Sequence, residues 1–431
     1  MPTRLDTADP GFEAAFAAAL DAKRDDEADV DAAVTQIVAA VREAGDSALL
    51  GYTKQFDRLD LTADQLRITE DEIEGAARSC PPDALEALEL ARDRIEAYHR
   101  RQIPADLSYT DEKGVELGAR WLPVAAVGLY VPGGRAAYPS SVLMNAVPAR
   151  VAGVERMVMV VPTPDGRINP LVLAAARIAG VNEIYRIGGA QAVAALAYGT
   201  ETIAAVDKIV GPGNAYVAAA KRQVFGRVGI DSIAGPSEIL VVADGDNDPH
   251  WIAVDLLSQA EHDTAAQSIL ITDDAAFADA VEAAVEAALK TLDRAEIAGE
   301  SWDRHGLVIR VASLDEAPAI VDRIAPEHLE LAVAEPDGLA ARIRNAGAIF
   351  LGRYTPEAVG DYVAGPNHVL PTGRTARFSS GLSALDFLKR TSLVRCDAAS
   401  LGAIGPAAMT LAGHEGLGAH ALSIGVRINK R

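Results

Sequence analysis

MVMVVPTPDGRINPLVLAAARIAGVNEIYRIGGAQ, residues 157–191, decides the fold class. Met157 to Val161 is a short apolar run, Pro170 to Ala179 is Ala-rich and of helical length, and Glu183 to Ile187 is a second short run of strand composition. Gly180 stands where the helix should stop, because glycine accepts the left-handed conformation that closes a last turn. Strand, helix and strand in this spacing form a βαβ unit of a parallel sheet. The pattern extends in both directions. Val124 to Val127 and Lys208 to Val210 complete a first series of strands. Glu238 to Ala243, Ser268 to Thr272, Leu307 to Val311, Leu329 to Val333 and Ala348 to Leu351 make a second series, again with helical runs between them. Two α/β lobes with parallel sheets are therefore expected.

The flanks differ. Residues before about Lys23 read as a helical arm, and Asp31 to Arg101 is mostly helical by its i, i+3, i+4 apolar spacing. The stretch after Gly381 is too short for a lobe and too rich in Gly and Ala for a core of its own, so it should pack on another lobe or subunit. A chain of 431 residues that is 49% hydrophobic and 23% charged has enough apolar surface for more than one folded domain. Its 61 acidic against 40 basic residues, a net charge of −21, argue against nucleic acid and anionic membranes as partners. The acidic run Asp25 to Asp31 reads as a solvated helix face. Met1 to Phe16 lacks a basic region followed by an apolar one, and no apolar stretch has transmembrane length, so a cytoplasmic location is expected. Cys80 and Cys396, far apart and without CxxC spacing, exclude a disulfide framework and a thiolate metal cage.

Three glycine clusters sit where strands give way to helices: Gly128 to Gly134, Gly188 to Gln191, and Gly211 to Asn214. Each could bring backbone N–H groups to a phosphate at a helix N-terminus. A tight βα turn explains any one of them equally well; three in one lobe point to a nucleotide. No GxGxxG occurs there, and the formal match Gly416 to Ala421 lies too near the end of the chain to open a βαβ unit.

Trp251 to His262 reads as an amphipathic helix, which places Gln259 and His262, three apart, on one face where both can reach one ion. Alone, that spacing also suits a solvated helix end. Asp361, His368, His414 with Glu415, and His420 are further candidates in short Gly-rich segments, which position chemistry better than they build cores. With nitrogen and oxygen donors and no sulfur, zinc is the favoured ion, and manganese or cobalt could replace it. Glu327 and His328 place a carboxylate beside an imidazole just before an apolar strand. His328 could take a proton from an alcohol as hydride leaves, and Glu327 could activate water. A lone pair of this kind also suits an ordinary charged start of a strand.

Taken together, these pieces resemble the histidinol dehydrogenase family. The matching blocks are GLYVPGG (Gly128 to Gly134), GGAQ (Gly188 to Gln191), GPGN (Gly211 to Asn214), IDSIAGPSE (Ile230 to Glu238), SQAEHD (Ser258 to Asp263), APEHL (Ala325 to Leu329), GDYVAGPNH (Gly360 to His368) and GHEGLGAH (Gly413 to His420). The resemblance implies an α/β fold of two incomplete Rossmann-like lobes with small helical N- and C-terminal elements. Its divisions are a helical arm over 1–24, a first lobe over 25–128 and 238–381, a second over 129–237, and a dimer-contacting element over 382–431. It implies one Zn2+ per subunit held by Gln259, His262, Asp361 and His420, the last from the neighbouring subunit of a homodimer. Tyr130, Gln191 and Asn214 match NAD contacts. Ser237, His368 and Glu415, with His328 and the metal ligands, match positions that hold L-histidinol, and Glu327 and His328 match the acid/base pair. The implied reaction is the NAD-dependent oxidation of L-histidinol through the aldehyde to L-histidine. The alternatives are a related alcohol dehydrogenase acting on a substrate such as a sulfonated diol, and a non-catalytic two-lobed binding protein.

Overall fold

Two parallel sheets, each apolar on both faces, organise the chain. The computed structural model describes residues 1–21, 28–133, 138–233 and 235–428; Asp25 to Glu27 of the acidic run, Gly134 and Ala234 lie outside the described residues. In chain order the N-terminal part comprises β1 (Thr3–Asp6), α1 (Phe12–Asp21), α2 (Ala28–Phe56), α3 (Glu70–Ser79), α4 (Pro82–Arg100), β2 (Leu107–Thr110) and β3 (Glu116–Pro123). The first alternating series follows as β4 (Ala126–Tyr130), α5 (Pro139–Ala152), β5 (Arg156–Val160), α6 (Pro170–Ala179), β6 (Glu183–Tyr185), α7 (Gly189–Tyr198), β7 (Lys208–Val210), α8 (Ala215–Val224) and β8 (Gly229–Ile230). The second runs β9 (Glu238–Ala243), α9 (Pro249–Ala260), β10 (Gln267–Thr272), α10 (Ala275–Ala288), α11 (Ala295–His305), β11 (Leu307–Arg310), α12 (Ala317–Ile324), β12 (His328–Ala332), α13 (Pro336–Ala340), β13 (Ala348–Leu351) and α14 (Glu357–Tyr362). β14 (Leu388–Arg395), α15 (Ala398–His414) and α16 (Gly418–Ile428) close the chain.

The first sheet has the parallel order β6-β5-β4-β7-β8, so its own strands, counted along the chain, lie 3-2-1-4-5. In the second sheet, β1-β11-β10-β9-β12-β13, the strands β9 to β13 repeat 3-2-1-4-5 and β1 adds a parallel edge. Both are Rossmann-like sheets lacking a sixth strand in the usual place. Continuous apolar strands follow from burial on both faces. In the first sheet Leu129, Met159 and Ile184 pack toward α5 and α6, while Val158, Val160 and Ile209 pack toward α2 and α7. In the second, Leu240, Ile271 and Leu331 meet Phe12, Phe16 and Ile320, while Val241, Leu270 and Val308 meet Ile252, Leu256 and Val281. Helix stops are chemical: Gly180, at φ 82°, ends α6 where the sequence places the stop.

Four expectations need correction. The N-terminal arm over 1–24 is not purely helical, because β1 pairs with β11; a four-residue edge strand with half its side chains exposed carries almost no pattern in the sequence. The helices within 25–128 clothe the first sheet, α2 lying on α7 and α8, α3 on α6, and α4 on α5, rather than the 238–381 lobe to which they were assigned. A boundary at 128/129 would cut β4. Finally, β2, β3 and β14 form an antiparallel sheet that joins the C-terminal element to the segment before β4, with Leu388 to Arg395 opposite Pro123 to Glu116; most of β14 is exposed, so no apolar run announces it.

The turn after β7 is held by a buried ion pair. Lys221 on α8 donates to the Gly211 carbonyl and pairs with Asp231, which in turn accepts from Gly211 N at 2.7 Å. Removing the cation strands a buried carboxylate. Lys221→Met is expected to destabilise the protein by about 3–5 kcal/mol, measured by urea unfolding; a loss below about 1 kcal/mol would show that the pair contributes little.

Candidate active site between the two sheets

β9 and β12 are parallel neighbours in which His328 pairs with Ile239. That register sets the Glu238 peptide against the start of β12. Glu238 N donates to Glu327 Oε2 at 3.0 Å, and the Glu238 carbonyl lies 3.0 Å from His328 Nδ1. A carbonyl only accepts, so Nδ1 carries the hydrogen and Nε2 is left with the lone pair. Burial pushes the His328 pKa down to about 4 against the opposing pull of Asp361, so the ring is neutral at physiological pH. Nε2 is buried without a hydrogen-bond partner among the described residues and stands 3.7 Å from Asp361 Oδ1. The chain reaches this geometry through a left-handed Ala325 (φ 50°) that ends α12 and turns Glu327 toward β9. Gly347 on the neighbouring loop admits no side chain, since a Cβ there would stand 2.5 Å from the Glu327 carbonyl oxygen.

Around His328 lie donors that are buried, charged, or both. Gln259, in the last turn of α9, is fully buried, and neither amide atom has a hydrogen-bond partner among the described residues. Asp361, on α14, accepts at its backbone oxygen from His368 Nδ1 at 2.9 Å, which leaves His368 Nε2 to accept from the Ser141 hydroxyl at 3.3 Å. Ser141 is in the first turn of α5, at the end where β4 leads into that helix, so His368 bridges the two lobes. Burial lowers the His368 pKa, and the proximity of His262 lowers it and that of His328 further. His262 lies beyond α9, which ends at Ala260, so the expected single helical face is corrected; a turn joins the two residues, with His262 N donating to the Gln259 carbonyl at 3.1 Å. Ser237 directly precedes Glu238 and is partly buried.

Glu357 was not among the expected residues. Its Oε1 is 3.4 Å from His328 Nδ1, and His328, Glu357 and Asp361 offer ligand atoms all within 4.8 Å of one another. Burial, reinforced by Asp361, holds the Glu357 carboxyl well above the usual carboxylate range. Glu330 is raised in the same way by burial and Asp255. The signal available in the sequence was a charged residue within the apolar strand His328 to Ala332. Glu415 and His420 are exposed at the junction of α15 and α16, and within one chain the structure does not bring them to this cluster.

At the facing lobe the crevice opens where strand order reverses, between β4 and β7. Tyr130 ends β4, and its hydroxyl oxygen accepts from Gly189 N at 3.0 Å. Burial raises the phenol pKa to about 12, so it stays protonated. Gln191, in the first turn of α7, is buried, with Oε1 unpartnered among the described residues. Asn214 caps α8, its side-chain oxygen accepting from Tyr216 N and Val217 N. Gly211 has φ 115°, and a Cβ there would stand 2.1 Å from the Tyr130 carbonyl oxygen, so glycine is required for the close approach of the two strand ends.

A buried imidazole and carboxylate with further polar groups, set beside a Rossmann-type crevice, suit an α/β oxidoreductase of dehydrogenase type. Comparison narrows the class. A family model described as histidinol dehydrogenase matches residues 20–428. The chain is 68% identical over 431 residues to histidinol dehydrogenase of Rhodospirillum rubrum and 64% identical over 430 residues to that of Ruegeria pomeroyi, covering 100% of this chain and 99% of each relative. The crystal structure of histidinol dehydrogenase from Elizabethkingia anophelis superposes with a TM-score of 0.94 at 35% identity, over 99% of this chain and 98% of that one. The chain belongs to the histidinol dehydrogenase family.

Proposed function

We propose that this protein oxidises L-histidinol through L-histidinal to L-histidine, with two NAD as hydride acceptors, in the last steps of histidine biosynthesis. The observation that carries the reading is the buried His328, with Nδ1 3.0 Å from the Glu238 carbonyl and Nε2 3.7 Å from Asp361 Oδ1 and without a hydrogen-bond partner among the described residues. In the first half-reaction Nε2 accepts the hydroxyl proton while the carbinol carbon loses hydride to NAD, leaving the aldehyde, NADH and a protonated His328. After His328 releases that proton, Glu327, fixed by Glu238 N, takes a proton from water as the oxygen adds to the aldehyde and passes it to the former carbonyl oxygen, which gives the gem-diol. The gem-diol then loses hydride to a second NAD and a proton to His328, giving the carboxylic acid. Tyr130, Gln191 and Asn214 are assigned to NAD, whose pyrophosphate suits the glycine turns at the crevice.

The donor set fits Zn2+. An amide as deeply buried as that of Gln259, with both polar atoms unsatisfied among the described residues, is costly unless a ligand completes it. Gln259, His262 and Asp361, with His420 of the partner subunit, would hold the ion, and nitrogen and oxygen donors suit it. When bound, the cation supplies a charged anchor that orients the substrate's imidazole and amino nitrogens. Ser237, His368 and Glu415 complete the substrate contacts, His368 through its grip on the Asp361 backbone. A homodimer with a shared site accounts for the exposed Leu411, Leu417, Leu422 and Val426 on the C-terminal helices. Among the described residues no helix is long and apolar enough to cross a membrane, and a biosynthetic role suits the cytoplasm. A sulfonated diol is not favoured as substrate, given the full-length identity to histidinol dehydrogenases.

The direct test is an assay of metal-loaded protein with L-histidinol and NAD, which should yield L-histidine and about two NADH per alcohol, as the two proton and hydride transfers require. Glu327→Gln should slow aldehyde oxidation far more than alcohol oxidation, by about 10²- to 10⁴-fold in single-turnover assays, because only the hydration step needs that carboxylate; equal losses in both half-reactions would contradict this division. If the site is shared, mixing inactive His262→Ala and His420→Ala protomers should restore activity in the mixed dimers, and silent mixed dimers would refute trans completion.

A further inference from the structure

Behind the reacting groups lies a second tier of side chains at the same spacings. His328 and Glu330 are two apart on β12, so both face α9, opposite Leu329 and Leu331, which enter the other core. Asp255 precedes Gln259 by four residues on α9, and Glu357 precedes Asp361 by four on α14, one helical turn in each case. The front tier is His328, Gln259 and Asp361; the rear tier is Glu330, Asp255 and Glu357. Glu330 connects the rear tier. Its Oε1 accepts from Glu357 N, the first residue of α14, at 2.5 Å, and its carboxyl hydrogen-bonds the Asp255 side chain. Glu330 is 3% exposed, an expensive place for a carboxyl unless the links it makes are needed.

We propose that Glu330 is a positioning residue that locks the strand carrying His328 to the two helices carrying Gln259 and Asp361. The inference rests on the metal reading above for the roles of those two residues. Two carboxyls bonded to each other share a proton, and burial of Glu330 favours its protonated form, in line with that geometry. Glu330 therefore acts through shape and hydrogen bonds rather than through charge. α14 has six residues and too few internal bonds to hold itself, so its N-terminal tether decides where Asp361 points. Tethers of this kind typically change metal affinity by about 10- to 100-fold when lost.

The test compares Glu330→Gln with Glu330→Leu in the full-length protein. Glutamine keeps both links, its carbonyl accepting from Glu357 N and its amide donating to Asp255; leucine removes both at similar volume. Zinc affinity by competition with a chromophoric chelator, and kcat with L-histidinol, should stay within about threefold of wild type for Glu330→Gln and fall at least about tenfold for Glu330→Leu, with the KM for NAD unchanged. If Glu330→Leu does not fold, Asp255→Ala, which severs only the α9 link, carries the same expectation. Glu330→Gln as damaging as Glu330→Leu, or Glu330→Leu indistinguishable from wild type, overturns the proposal. Absence of zinc binding by wild type would instead count against the metal reading, and the kcat contrast between the two variants would still decide the role of Glu330.

Discussion

The backbone of one residue, Glu238, orders the chemistry proposed for this protein. Its N–H holds the Glu327 carboxylate and its carbonyl holds His328 Nδ1, so the two groups expected to move protons are fixed by a single strand pairing, β9 against β12. Because side chains alternate along a strand, a slip of one residue in that register would turn His328 into the opposite core and bring Leu329 to the site. The register is secured by burial: Ile239, Val241, Leu329 and Leu331 are each essentially inaccessible, and none could be exposed without large cost. Stability and the proposed acid/base chemistry thus depend on the same contacts.

The two lobes repeat one strand order but use opposite edges. In the first, the candidate cofactor residues lie at strand C-terminal ends, where the reversal between β4 and β7 leaves a crevice, as is usual for open α/β sheets. In the second, Glu327 and His328 stand at the N-terminal end of β12, and Gln259 at the matching end of α9. The equivalent crevice of the second sheet is filled by its own side chains. Asn247 Nδ2 donates to the Ala332 carbonyl at 2.6 Å, Ala334 N donates to Asp244 Oδ2 at 2.8 Å, and Arg353 pairs with Asp244. His368, bridging Asp361 to Ser141, joins the first sheet's crevice to the edge that carries Glu327 and His328.

Much of this was legible in the residues. Lys208 to Val210, Glu238 to Ala243 and Ala348 to Leu351 are strands at the limits their composition indicates; the first two are largely buried, as unbroken apolar runs imply, whereas Ala348 to Leu351 carries such a run at a half-exposed sheet edge. The glycine turns and the pairing of Glu327 with His328 were visible as motifs. What escaped shares a physical cause. β1 and β14 are exposed edge strands held by backbone hydrogen bonds, which any sequence can make. The allegiance of α2, α3 and α4 depends on which sheet their apolar stripes meet, and a stripe does not name its partner. The rear tier of Asp255, Glu330 and Glu357 consists of ordinary acidic residues until three elements converge, and none of the three was singled out from the sequence. The expected helical face shared by Gln259 and His262 failed because α9 stops two residues early.

The central claim is that His328 is a neutral base whose Nδ1–H is held by the Glu238 carbonyl and whose Nε2 lone pair faces the reacting alcohol. Nitrogen NMR of 15N-histidine-labelled protein at pH 7, with His328 assigned by comparison with His328→Asn, reads both ring nitrogens directly. The account predicts a protonated Nδ1 and an unprotonated Nε2 at that position. A hydrogen on Nε2, whether in the other neutral tautomer or in an imidazolium, would contradict it.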